Sequence, residues 1–150
     1  MKRHFSYAIL ENDSISVSKE ASSDFRHLGF QRTSKGRLQL TPIECLFLME
    51  KGILILNNLD ENAKENKNVA VQEAWSLLAE VHTRSFMKTY PIFMQEYAVY
   101  CKLKYHGFIM KINTEKKCYD LFKPDKNFKK TSTGMPFSQL VIHEYRLIYL

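Results

Sequence analysis

The residues with the most chemistry to offer are eight lysines in the last third of the chain. Lys102 and Lys104 come first, and Lys116, Lys117, Lys123, Lys126, Lys129 and Lys130 follow, with Tyr119, Phe122 and Phe128 among them. Lysines at this density make sequence-independent contacts with phosphates, and interleaved rings can anchor a loop or stack on bases. The competing reading is a solvated surface with Phe122 and Phe128 folded inward. Residues 1–100 hold 12 Lys+Arg against 12 Asp+Glu, whereas residues 101–150 hold 10 against 4. The whole formal charge of +6 therefore belongs to the last third and points to a polyanionic partner such as RNA. A second feature is the apolar run Leu147, Ile148, Tyr149 and Leu150. As a strand at a sheet edge it offers unpaired backbone groups to a partner strand.

Other chemistries find no support. Cys45, Cys101 and Cys118 show no C-x-x-C spacing, and His4, His27, His82, His106 and His143 form no H-x-x-x-H pair, so no metal is expected. Gly29, Gly36, Gly52, Gly107 and Gly134 are isolated, which leaves no phosphate loop, and no G-x-S-x-G is present. No cofactor is expected. Three scattered cysteines point to a reducing, intracellular compartment. No stretch approaches the ~20 apolar residues of a membrane span, and the N-terminus does not read as a secretory signal.

The elements that must position these residues read as follows. A length of 150 with 45% apolar residues suits one domain, or one and a fraction. Residues 11–24 are polar and serine-rich, so 1–34 is expected to be a flexible arm. Residues 36–40 alternate as a short strand. Thr41-Pro42-Ile43-Glu44 is a capping box with proline at the first helical position, and the helix should run to Lys51 and stop at Gly52. Its apolar set is too broad for one stripe, so burial on most sides follows. Residues 53–56 form a strand. Val71, Ala74, Trp75, Leu78 and Val81 give the period of an amphipathic helix over about 70–81, with Trp75 as a core anchor. Pro91 opens a helix that Gly107 stops. Its Phe93, Tyr97, Tyr100 and Leu103 form one face, either packed on a neighbouring helix or stacking bases. Residues 108–112 and 118–122 read as strands, as do 140–142 and 147–150. The fold class is α+β: a small helical, winged-helix-like N-terminal unit, then a short, incomplete antiparallel β region. The division is an arm over 1–34, an α/β unit over 35–112 and a partial β-rich region over 113–150.

These segments resemble a known family in their order. Residues 40–52, Leu40-Thr41-Pro42-Ile43-Glu44-Cys45 through Gly52, resemble the "L-x-P-E-E-A-L-Y-L-L-E-x-G" helix of the tRNA-splicing endonucleases. Val71-Gln72-Glu73-Ala74-Trp75 resembles the start of the next helix. Residues 95–109 are similar to the family's "E-Y-x-V-Y-x-x-L-K-R-L-G-Y-I-V" segment, the most specific of the set. Tyr119-Asp120-Leu121-Phe122-Lys123-Pro124 and Phe128-Lys129-Lys130 resemble a stretch typical of the large, non-catalytic subunit type. The resemblance spans about residues 36–142.

The resemblance implies an N-terminal α/β unit, a nuclease-like region after it, a nuclear location, and a catalytic subunit and precursor tRNA as partners, with no membrane. Catalytic members cleave RNA with a tyrosine, a histidine and a lysine, serving as base, acid and cation. Here Leu140 occupies the tyrosine position, His143 follows only three residues later, and no lysine follows Lys130. The chain also ends where a catalytic member would still need its second half. The expectation is therefore a non-catalytic structural subunit that supports recognition and intron excision. Two other readings stand beside it. One is a winged-helix-like nucleic-acid-binding module with the 108–122 hairpin as wing. The other is a ribonuclease using Tyr119, His143 and a lysine.

Overall fold

The computed structural model describes residues 5–25, 28–29, 31–59, 67–86, 90–113, 118–122, 138–143 and 146–149. The architecture is mixed α+β. Strands β1 (Ser6–Glu11), β2 (Ser14–Val17), β3 (Gln31–Arg32) and β4 (Leu38–Leu40) precede helix α1 (Pro42–Glu50), and β5 (Leu54–Asn58) and β6 (Lys67–Asn68) follow it. Helices α2 (Val71–Phe86) and α3 (Tyr90–Tyr105) lead to β7 (Ile109–Asn113), β8 (Cys118–Phe122), β9 (Ser138–His143) and β10 (Arg146–Tyr149). The first sheet has the order β3-β4-β2-β1-β5-β6, with β1 and β5 parallel and the other pairs antiparallel. The second is antiparallel in the order β10-β9-β8-β7.

The expected flexible arm is corrected over most of its length. Residues 6–17 form the β1–β2 hairpin, and residues 21–25 a 3-10 turn. Asn12 and Asp13 are the whole loop, with φ of 52° and 59°. That conformation is a type I′ turn, whose twist matches the flanking strands. Asn and Asp tolerate it because their short polar side chains fit the left-handed region. The alternating residues Ala8, Leu10, Ile15 and Val17 are buried, while the polar residues between them face away. Asp13 also receives a two-pronged bond from Arg84 of α2, both contacts 2.9 Å, which lowers the Asp13 pKa.

The capping box forms as read. Thr41 Oγ1 accepts from the Glu44 amide at 3.1 Å, and Glu44 Oε1 accepts from the Thr41 amide at 2.9 Å. Glu44 is itself buried, and its second oxygen, Oε2, accepts from the Gly29 amide at 2.8 Å. One carboxylate thus ties the start of α1 to the loop before β3. Gly29 has φ of +82°, and a Cβ there would lie 2.5 Å from Leu38 Cδ1, so no other residue fits. Both glycine stops close Schellman motifs. Gly52 and Ile53 donate to Met49 and Leu48, and Gly107 and Phe108 donate to Lys104 and Leu103.

A single core runs from the inner face of the first sheet through the helices to Met110, Tyr119 and Leu121 of the second. Helix α1 is buried on most sides, as its composition requires. Helix α2 extends five residues past Val81, because Val81 and His82 continue its buried face. Trp75 packs edge-on against Tyr97, centroids 4.9 Å apart, and Tyr100 against Phe47 at 5.4 Å. Tyr97 and Tyr100 are therefore packing groups. No helix among the described residues is long and apolar enough to cross a membrane.

Glu44→Gln should destabilise the fold by about 1–3 kcal/mol in urea unfolding, because an amide cannot accept from both backbone donors at once. Burial raises the Glu44 pKa above its ordinary 4.5 despite the two amides that pull it down. The native state then holds this proton more tightly than the unfolded chain. Stability linked to Glu44 is complete below pH 4.5 and is lost as pH rises through the raised value. Glu44→Gln should lack that slope.

Candidate nucleic-acid and partner interface

The Schellman stop at Gly107 places the last turn of α3 at the surface. Lys102 is exposed there and Lys104 is half-buried. They differ because residues two apart on a helix point to opposite sides. Lys104 Nζ lies 6.0 Å from the Tyr100 ring centroid, within cation–π range. Burial lowers the Lys104 pKa, the Glu44 charge offsets part of this, and neighbouring Lys51 adds to the lowering. Lys104 thus serves the α1–α3 junction, and Lys102 is the better phosphate contact. Tyr105 is 88% exposed, and its ring meets His106 edge-on with centroids 5.6 Å apart. This exposed aromatic was not singled out in the sequence, although its spacing of three from Lys102 puts the two side by side.

Lys116, Lys117, Lys123, Lys126, Lys129, Lys130 and Leu150 lie outside the described residues. Leu147, Ile148 and Tyr149 fall in β10, which lies at the end of the second sheet and pairs with β9. The backbone thus offers an edge where one was expected. The 108–122 hairpin, cast as a wing in the alternative reading, supplies two strands of the four-stranded sheet.

Beneath that sheet lies a buried polar group. Tyr119 of β8 donates its hydroxyl to Glu96 Oε2 of α3 at 3.2 Å, and His82 Nε2 of α2 lies 3.6 Å from the same oxygen. All three residues are at most 5% exposed. Burial, then the Glu96 charge, pushes the Tyr119 pKa well above its ordinary value. A phenol held this way keeps its proton and serves as a hydrogen-bond donor. On the neighbouring strand its register partner is Leu140, and His143 pairs with Arg146.

Among the described residues no group of three or more His, Cys, Asp or Glu could hold a metal ion. Cys45 and Cys118 are buried free thiols and Cys101 is half-buried. Burial pushes Cys45 well above the usual thiol range, so it is unreactive.

Tyr119→Phe leaves the Glu96 carboxylate short of a donor and should cost about 1–3 kcal/mol in chemical unfolding. A double-mutant cycle with Glu96→Ala should show the two costs overlapping, since both variants remove the same bond.

No curated protein matches the chain. Residues 6–67 match the family model described as tRNA intron endonuclease, N-terminal domain. That span covers β1 to β5, including the hairpin and the Glu44-capped helix, and reaches the first residue of β6. The match covers 62 of the 150 residues and shows a likeness to that domain over this span.

Proposed function

We propose that this chain is a non-catalytic structural subunit of a tRNA-splicing endonuclease, supporting precursor-tRNA recognition and intron excision. The observation that carries the reading is the match of residues 6–67 to the tRNA intron endonuclease N-terminal domain. The resemblance of residues 95–109 points the same way, and that of residues 119–124 and 128–130 adds the subunit type. Leu140 at the position of the catalytic tyrosine, and Tyr119 buried on Glu96, favour a role other than cleavage. Partner and RNA would meet different surfaces. Strand β10 offers its outer edge to a strand of a catalytic subunit. Exposed Lys102 offers a phosphate contact at the end of α3.

Affinity purification of the tagged chain from its own cells tests the proposal. Catalytic endonuclease subunits should co-purify, and the complex should cleave intron-containing precursor tRNA while the isolated chain does not. Recovery without any endonuclease subunit would sink the reading, as would cleavage by the isolated chain. Ile148→Pro, which removes a backbone donor from β10, should weaken recovery of the catalytic subunit about tenfold or more. Lys102→Glu should weaken precursor binding and leave that recovery unchanged.

A further inference from the structure

Among the described residues, the first sheet has one face packed on helices and one face open. On the open face, cross-strand register aligns residues in rows. Val17 pairs with both Ala8 and Leu38, so Ser18 lies between Tyr7 and Arg37, and Tyr7 pairs with Ile55 on its other side. The next row is Gln39, Ser16, Ile9 and Asn57. Tyr7 is 54% exposed and Phe5, two residues before it, 45%. Two rings about 7 Å apart along one strand are spaced to take successive bases.

The polar groups beside them suit the same ligand. Arg37 donates from Nε to Ser16 Oγ at 2.8 Å and from Nη2 to the Ser16 carbonyl at 3.0 Å. Those bonds fix the guanidinium on the open face, two strand spacings or about 10 Å from the Tyr7 row position, and leave further N–H donors for phosphate. Arg32 and Lys35 are exposed on the same turn, and exposed Lys19 runs alongside Gly36. Residues 31–43 contain no acid, and Glu11 lies at the far end of β1. Asn57 Oδ1 is buried without a hydrogen-bond partner.

We infer that the open face of the first sheet binds single-stranded RNA, with bases stacked on Phe5 and Tyr7 and phosphates held by Arg37 and its basic turn. This deepens the proposed function, since it assigns that subunit a surface for unpaired nucleotides. Exposed rings beside a basic turn favour RNA as the occupant, since they match its bases and its phosphates together.

The test is fluorescence anisotropy of the full chain with a labelled 12-nucleotide single-stranded RNA, and with a duplex of equal length. Tyr7→Ala and Phe5→Ala should each weaken single-strand binding about tenfold, while Tyr7→Phe retains it. Arg37→Ala should weaken binding and flatten its salt dependence. Circular dichroism should show each variant folded. Equal affinity of wild type and both alanine variants would overturn the inference. So would a Tyr7→Ala variant that keeps RNA affinity but no longer recovers endonuclease subunits, which would identify the face as a protein interface. Absence of endonuclease subunits from the wild-type purification would instead count against the proposed function alone.

Discussion

The fold hangs on the buried carboxylate of Glu44. A charged group without water must be fully hydrogen-bonded, and Glu44 meets that demand with two backbone amides from separate parts of the chain. Satisfying it fixes three things together: the start of α1, the left-handed loop at Gly29 and the approach of that loop to Leu38 of β4. The Glu44 charge also reaches Lys104 on α3, so the same group biases the α1–α3 packing. The constraint is costly in desolvation, and it is specific, because one of the two donors, Gly29, lies fifteen residues before Glu44 in the chain.

A second buried polar contact attaches the C-terminal sheet. Glu96 sits between Tyr119 and His82, and so joins β8 to α3 and α2. The apolar groups around it, Phe93, Tyr100, Met110 and Leu121, supply most of the hydrophobic stabilisation. The polar bond adds direction. It selects the register in which Tyr119 faces α3, and a slip of one residue would turn Tyr119 outward and place Asp120 in the core.

How much of this was legible depended on the range of the interactions involved. The capping box, proline at the first helical position and both glycine stops act within a few residues, and the sequence states them directly. The strand edges followed from alternation. The N-terminal hairpin was hidden because its turn is Asn12-Asp13, without glycine, and because the outward residues of β2 are Ser14 and Ser16, which read as disorder. The alternation Ala8, Leu10, then Ile15, Val17 was the available signal. Glu44's second role could not be read, since Gly29 lies fifteen residues away and nothing local links them. Nor could the Tyr119–Glu96–His82 contact, which joins three separate elements.

Charge shows the same divide between chain and surface. The formal excess belongs to residues 101–150, yet counting along the chain does not say where a polyanion would settle. Lys104 lies in that stretch and is drawn into the α1–α3 junction beside Tyr100 and Glu44. Lys102, two residues away, faces solvent. The balanced first hundred residues, by contrast, gather Lys19, Arg32, Lys35 and Arg37 around one turn of the first sheet. Glu20 beside Lys19 and Asp24 in the following turn are the acids near them in sequence. Since screening confines exposed charges to about 10 Å or less, a phosphate responds to this local grouping more than to the net charge of its segment. A neutral half of the chain can therefore present a basic surface, and only the register of β1, β2 and β4 reveals that it stands beside exposed rings.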